Sequence, residues 1–454
     1  MPSLFFSTPL LAAAAEAEIG PLILAGVLLS LVVIYLASKL VGELCARVNL
    51  PPVLGELIGG VLIGVSAFNL LVFPGENGET HSLILTLLQS TAGLAPEFTP
   101  QAADAIHEVI SVLSELGVII LLFEIGLESD LKELIRVGPQ AAVVAVIGVA
   151  VPFTLGTTGL IALFGVPAVP AIFAGAALTA TSIGITAKVL AEIQRLSSRE
   201  GQIIIGAAVL DDVLGIIVLA VVSSLAKTGE IEIVNVISLI VGASVFLIGA
   251  ILLGRFLSPY FVALIDRLQT RGQIILPSLT FAFVLAYIGA AIQLEAILGA
   301  FAAGLVLAET EKHKEIEEQV IPIADILVPV FFVVVGAQTD VSVLNPFNPD
   351  NREGLIIATF LVLVAIIGKV VTGLGVFGQP GINRLAIGVG MIPRGEVGLV
   401  FAGVGSATGV LSESLEAAII VMVILTTFLA PPLLRVVFKE APAAETLESV
   451  PEAE

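Results

Sequence analysis

Ile203 to Ala226 reads IIIGAAVLDDVLGIIVLAVVSSLA, an apolar run interrupted by two adjacent carboxylates, Asp211 and Asp212. A run of this length and hydrophobicity spans a bilayer as a helix, where a single carboxylate costs roughly 2.5–3.5 kcal/mol. Two neighbours also repel, so each requires a cation, a proton or a partner. The composition around them agrees with a membrane setting. The chain is 57% hydrophobic and 13% charged with a mean hydropathy of +1.10, whereas soluble domains hold about 45–50% apolar and about 25% charged residues. Paired acids inside such a chain point to ion transport.

Other chemistries are excluded by what is scarce. Cys45 is the one cysteine and the three histidines lack metal-ligand spacing, so neither a disulfide framework nor a zinc site is expected. A net charge of −20 without clustered Lys and Arg leaves nothing for nucleic acid to bind. Much of the acidity falls in loops and in a tail over 438–454, which reads as a disordered cytoplasmic segment. Residues 1–19 form an external N-terminal segment. Its apolar run Leu4 to Ala15 resembles a signal peptide, but no basic n-region precedes it, which favours an uncleaved terminus.

With about 20 apolar residues per span, the chain reads as an all-α polytopic membrane protein of about thirteen transmembrane helices. Their expected limits are 20–41, 53–73, 112–128, 140–164, 168–190, 202–226, 234–254, 273–293, 296–308, 322–338, 354–377, 385–409 and 416–435. Fifteen of the 19 basic residues then fall on one side, among them Lys39, Arg136, Arg195, Arg267 and Lys439, against Lys227 and Arg352 on the other. The positive-inside rule makes the C-terminus cytoplasmic and places the N-terminus outside.

The two halves resemble each other. Leu121 to Asp130 (LLFEIGLESD) aligns with Phe331 to Asp340 (FFVVVGAQTD), pairing Gly126 with Gly336 and Asp130 with Asp340. Leu54 to Gly64 (LGELIGGVLIG) aligns with Leu298 to Ala308 (LGAFAAGLVLA). The first stretch runs toward the cytoplasm and its counterpart away from it, so the repeats are inverted. Such repeats place a binding site at the bilayer midplane and open it alternately to each side.

Two spans at matching places carry breaking residues. Gly175 to Lys188 (GAALTATSIGITAK) sets Thr179, Thr181, Ser182 and Thr186 beside Gly184. Gly388 to Val400 (GVGMIPRGEVGLV) surrounds Arg394 and Glu396 with Pro393 and Gly395. Proline removes a helical donor and glycine permits unwinding, so both are candidate broken helices. A single hydroxyl in a helix usually bonds back to its own backbone, but four of them opposite a carboxylate pair suggest ligation. Glu396 reads first as a local ion-pair partner of Arg394. Lys369, in IIGKVVTG, is the counter-charge for one aspartate, too deep in its span to snorkel easily. Consecutive helical residues point about 100° apart, so one aspartate can take Lys369 while the other faces the hydroxyls. Sodium favours oxygen ligands and protons compete for the same carboxylate, which is the chemistry of antiport. Glu124 and Asp325 read as structural or access-path acids.

The set TATSIGITAKVL, VLDDVLGIIVLAVV, a later GK in an apolar span and MIPRGEVGLVFAGVG resembles the sodium/proton antiporters of the cation:proton antiporter-2 family, most closely the NapA type and cyanobacterial relatives, over nearly all of residues 20–437. The resemblance implies an exchanger domain over 20–437 with two crossing broken helices. Core helices would lie at about 112–226 and 322–437, and dimerisation helices at about 20–73 and 234–308. It makes Asp212 the cation and proton carboxylate and thus the Na⁺ ligand, Asp211 the partner of Lys369, and Thr179, Thr181 and Ser182 part of the crossover. It further implies a homodimer, an elevator-like motion, electrogenic exchange of two protons for one sodium, no cofactor, and residence in a plasma or thylakoid membrane. Rival readings are a potassium/proton exchanger or Kef-type potassium efflux protein, which usually carries Gln-Asp and a soluble nucleotide-binding domain, and an intramembrane aspartyl protease, which needs its aspartates on separate helices.

Overall fold

The structure, a computed structural model, describes residues 7–73, 82–228, 233–345, 347, 351–377 and 381–439. The acidic tail beyond Lys439, residues 1–6 and part of the external loop lie outside the described residues. Every regular element among the described residues is helical.

The first half comprises α1 (Ser7–Arg47), α2 (Pro52–Ile63), a short external α3 (Leu83–Thr91), α4 (Thr99–Glu128), α5 (Leu131–Phe164), α6 (Ala168–Ala177), α7 (Ile183–Glu192) and α8 (Arg199–Thr228). After α9 (Ile233–Arg267) follow α10 (Ile275–Ala291), α11 (Ala296–Ala308), α12 (His313–Ala337), α13 (Asn351–Val370), α14 (Arg384–Gly390), α15 (Glu396–Ala407) and α16 (Glu413–Lys439). Local signals set the boundaries. Asp130 caps α5 by accepting from the Lys132 and Glu133 amides, Asn383 caps α14 through the Ala386 amide, and Gly165 closes α5 in the left-handed conformation.

Among the described residues, seven helices offer stretches long and apolar enough to cross a membrane: α1, α4, α5, α8, α12, α13 and α16. Shorter apolar stretches of 10–17 residues among the described residues lie in α2, α6, α10, α11 and α15, where length alone does not make each a crossing, while α9 runs for 35 residues.

The inverted repeat is visible in helix contacts. Gly126 of α4 meets Gly304 of α11 so closely that an added Cβ would stand 2.4 Å from the Phe301 carbonyl oxygen. Gly336 of α12 meets Gly60 of α2 in the same way, with 2.1 Å to the Leu57 carbonyl oxygen. Gly126 and Gly336 are aligned in the repeat, as are Gly60 and Gly304, so one backbone contact occurs twice. Small residues let helix backbones approach this closely inside a membrane, where packing rather than hydrophobicity drives association. The same pairing recurs between Gly55 of α2 against α1 and Gly299 of α11 against α10. Asp340 repeats the role of Asp130 by capping a 3₁₀ turn at Ser342.

The helices sort into two packed groups. Helices α1, α2, α4, α10, α11 and α12 pack on one another, and α9 joins them through α11. Helices α5, α6, α8, α13, α14, α15 and α16 form the other group, with α7 leaning on both. At one end of the molecule the Val53 amide donates to Glu192 at 3.2 Å, the Asn383 amide to Glu200 at 2.9 Å, and the Asn383 side chain to the Val437 carbonyl at 3.1 Å.

Candidate cation site at the crossing of two broken helices

Both spans expected to break do so. The first is interrupted between α6 and α7 at residues 178–182, and the second between α14 and α15 at residues 391–395. The interruptions cross and bond to each other. The Ser182 amide donates to the Pro393 carbonyl at 2.9 Å, Thr181 Oγ1 to the Met391 carbonyl at 3.2 Å, and Thr186 Oγ1 to the Gly390 carbonyl at 2.9 Å. Gly395 is required by this approach, since a Cβ there would stand 2.7 Å from Ser182 Oγ. Thr179 Oγ1 instead bonds back to Ala176 in its own helix at 2.7 Å.

Arg394 is wholly buried at the crossing. Its guanidinium donates to the Leu178 carbonyl just past α6, and reaches the Met391 carbonyl just past α14 and Thr181 Oγ1, both at 3.5 Å. Those carbonyls are the negative ends of two half-helices, so one cation offsets both. The Arg394 carbonyl in turn accepts from Thr427 Oγ1 of α16. The side chain of Glu396, the expected partner of Arg394, lies outside the described residues. The N-termini of α7 and α15 open at the same crossing and favour negative charge there.

Helix α8 packs against all four half-helices. Gly215 lies one turn beyond Asp211 and Asp212 on their face, and a Cβ there would stand 3.5 Å from that of Ala180 in the first interruption. Asp211, Asp212, Thr179, Thr181 and Ser182 are all buried. Lys369 Nζ contacts Asp211 Oδ2 at 3.1 Å and Oδ1 at 3.3 Å. Lys369 sits at the end of α13, where the helix tightens into a 3₁₀ turn and Thr372 Oγ1 bonds the Lys369 carbonyl at 2.6 Å. Gly148 of α5 makes room for the ammonium, which would lie 3.1 Å from a Cβ at that position. Sequence reading had no signal for Gly148 or Thr427, whose roles depend on chain segments far away.

Ser182 Oγ is buried and makes no hydrogen bond among the described residues. An oxygen in that condition is a donor-poor position suited to a hard cation. Glu124 is half-buried with Oε2 lacking a hydrogen bond, and Asp325 is exposed on α12.

Comparison with known proteins agrees with this architecture. The profile of the transmembrane sodium/hydrogen exchanger family matches residues 22–440. The chain is 69% identical to the high-affinity Na(+)/H(+) antiporter NhaS3 of Synechocystis sp., over 97% of this chain and 96% of that one. It is 33% identical to the Na(+)/H(+)-K(+) antiporter GerN of Bacillus cereus, over 89% and 94% respectively. Among solved structures, the sodium proton antiporter MjNhaP1 of Methanocaldococcus jannaschii superposes with a TM-score of 0.58 at 18% identity, covering 94% of this chain and 99% of that one. From its paired aspartates to its crossing broken helices, this integral membrane chain belongs to the sodium/hydrogen exchanger family.

Proposed function

We propose that the protein is a secondary antiporter, not an enzyme, that exchanges Na⁺ for H⁺ across a membrane by alternating access. The observation that carries this reading is the placement of Asp212. It is a buried carboxylate one residue from the Asp211–Lys369 ion pair, on the helix that packs against both interruptions. Its relatives, named as Na(+)/H(+) antiporters, support the same reading.

In this mechanism Asp212 holds Na⁺ or a proton, never both. Ser182 Oγ and the carbonyls at the first interruption complete an oxygen shell for the ion. Arg394 and Thr181 fix the crossing, so that ligand spacing is set before the ion arrives. Lys369 pairs with Asp211 and serves as a second proton carrier, which makes exchange electrogenic, two protons for one sodium. The group containing α5, α8 and α13–α16 moves against α1, α2, α4 and α9–α12 and carries the site with it. Placing α4 and α12 in the static group follows their packing and departs from the division expected from sequence. At Gly184 of α7 the facing surface is apolar, since a Cβ added there would meet only Val118, Leu121 and Phe331, at 3.5–3.8 Å, a surface suited to sliding.

About thirteen crossings, a cytoplasmic C-terminus, a homodimer and a plasma or thylakoid membrane complete the proposal. Apolar faces that a second copy could cover include those on α1 and α9, where Leu40 and Val245 are each 65% exposed. Potassium is the second cation to consider, because GerN carries it in its name.

The test is solid-supported-membrane current from reconstituted protein under Na⁺, Li⁺ and K⁺ jumps, with Asp212→Asn alongside. A sodium-driven current lost in Asp212→Asn at unchanged folding is the expected result. Full current in that variant would remove Asp212 from the mechanism.

A further inference from the structure

Helix α2 begins at Pro52 behind Pro51, and no side chain of its own segment caps it. Proline carries no amide, so the first donor left free at this N-terminus is the Val53 amide. Glu192, the last residue of α7, accepts from it, with Oε1 at 3.2 Å and Oε2 at 3.5 Å. That bond crosses between the two helix groups. The Ser182 amide and Thr186 Oγ1 tie α7 to α14 and the interruption after it, whereas α2 packs on α1 and α12. A carboxylate is favourable at a helix N-terminus, so the contact holds α7 against α2.

A second carboxylate approaches the same place from α2 itself. Glu56, one turn into the helix, accepts from Ser38 Oγ at 3.0 Å through Oε1, while its Oε2 is buried without a hydrogen bond among the described residues. Glu56 acts electrostatically on Glu192. The other charges that act on the two acids are Lys188 one turn back on α7, Arg435 of α16, Lys39 of α1 and Asp325 of α12. Lys188 is shared further with Glu124 and Glu128 of α4, and Glu200 of α8 is engaged by the Asn383 amide. One nearby lysine thus serves several acids.

We propose that Glu192 and Glu56 form a proton-dependent latch between the moving and static groups, closed while one of them holds a proton and released when both are ionised. The inference rests on the alternating-access reading above and supplies its regulation. Glu192 lies two residues past the fifth expected span, and burial pushes its carboxyl from the ordinary 4.5 up to about 7, with Lys188 pulling the other way. In the released state the carboxyl meets water and returns to its ordinary value. The closed state therefore binds the proton more tightly. Its advantage is complete below about pH 4.5, falls by up to about tenfold per pH unit on the way to about 7, and changes no further above that. Alkaline medium frees the moving group. A latch limits the access change and so the maximal rate, whereas proton competition at Asp212 acts on the KM for Na⁺.

Backbone amide exchange in the first turn of α2, corrected for its intrinsic pH dependence, reads the latch without any transport. Protection of the Val53 amide in reconstituted protein should drop about thirtyfold between about pH 5.5 and about pH 8, the product of one and a half units at about tenfold each. Glu192→Gln keeps an acceptor without a charge, so protection should stay high at both pH values. Glu192→Ala should leave it low at both. Glu56→Gln removes the repelling partner from the static side and should shrink the drop several-fold. In proteoliposomes the maximal exchange rate should rise with pH in the unaltered protein, stay low in Glu192→Gln and stay high in Glu192→Ala, with the pH slope of KM kept in all three. Equal protection of the unaltered protein at the two pH values would overturn the latch, as would a Glu192→Gln protein whose protection still drops. The expected protection pattern in a protein without sodium-driven current would uphold the latch and strike the exchange reading instead.

Discussion

Lys369 Nζ lies 3.1 Å from Asp211 Oδ2, and neither side chain is exposed. A pair this deep is a poor source of net stability, because both ions pay for desolvation. Breaking it is another matter. Removing one partner leaves an uncompensated charge, at a typical cost of about 3–5 kcal/mol.

Lys369→Gln should therefore lower the unfolding midpoint of the purified protein markedly, and adding Asp211→Asn should restore most of the loss. Thermal unfolding in detergent for both singles and the double measures the coupling. Additive losses would show that the pair is not a unit. The same double variant tests stoichiometry, since removing a proton carrier should reduce charge moved per sodium.

Competition at one carboxylate fixes the direction of pH dependence. Protonation of Asp212 removes the negative ligand, so the apparent KM for Na⁺ should rise as pH falls, approaching about tenfold per unit for one competing proton. Initial rates in proteoliposomes over a pH series give this slope. A KM flat across pH, with protons still moving, would require separate seats for the two ions.

The glycine contacts predict stability effects in symmetric pairs. Gly126→Ala and Gly336→Ala each press a methyl group onto a carbonyl oxygen, at 2.4 Å and 2.1 Å before relaxation. Overpacking of this kind costs about 1–3 kcal/mol, and both variants should lower the unfolding midpoint to a similar extent. Gly138→Ala, which meets nothing within 4 Å, is the control and should be neutral or better.

How much of this was legible in sequence depends on the range of the cause. Breaks in α6–α7 and α14–α15 announced themselves through local glycine, proline and hydroxyls, and Asp211, Asp212 and Lys369 through the expense of charge in apolar runs. Aligned Gly126 and Gly336 gave the repeat. Partners set by distant packing were not legible. Arg394 bonds the Leu178 carbonyl across 216 residues, Gly148 yields space to Lys369, and α4 packs on α11, all between segments far apart in the chain. Sequence could show that Arg394 needed partners, but not that backbone oxygens would supply them.

Thr181 and Ser182 are adjacent hydroxyls with different surroundings, and that difference makes a sharp experiment. Thr181 Oγ1 ties the first interruption to the Met391 carbonyl at 3.2 Å, whereas Ser182 Oγ makes no hydrogen bond among the described residues. Thr181→Val keeps the shape and removes the donor, leaving a buried carbonyl less satisfied, so the unfolding midpoint should fall by the equivalent of about 1–3 kcal/mol. Ser182→Ala removes an oxygen that makes no hydrogen bond among the described residues, so its midpoint should hold. If that oxygen is an ion ligand, Ser182→Ala should raise the KM for Na⁺ several-fold and leave proton affinity alone, because a proton needs only the carboxylate. Unfolding curves and sodium titrations of transport on the two variants separate the roles. A Ser182→Ala protein that loses stability but binds sodium normally would make Ser182 a packing residue and move the oxygen shell elsewhere.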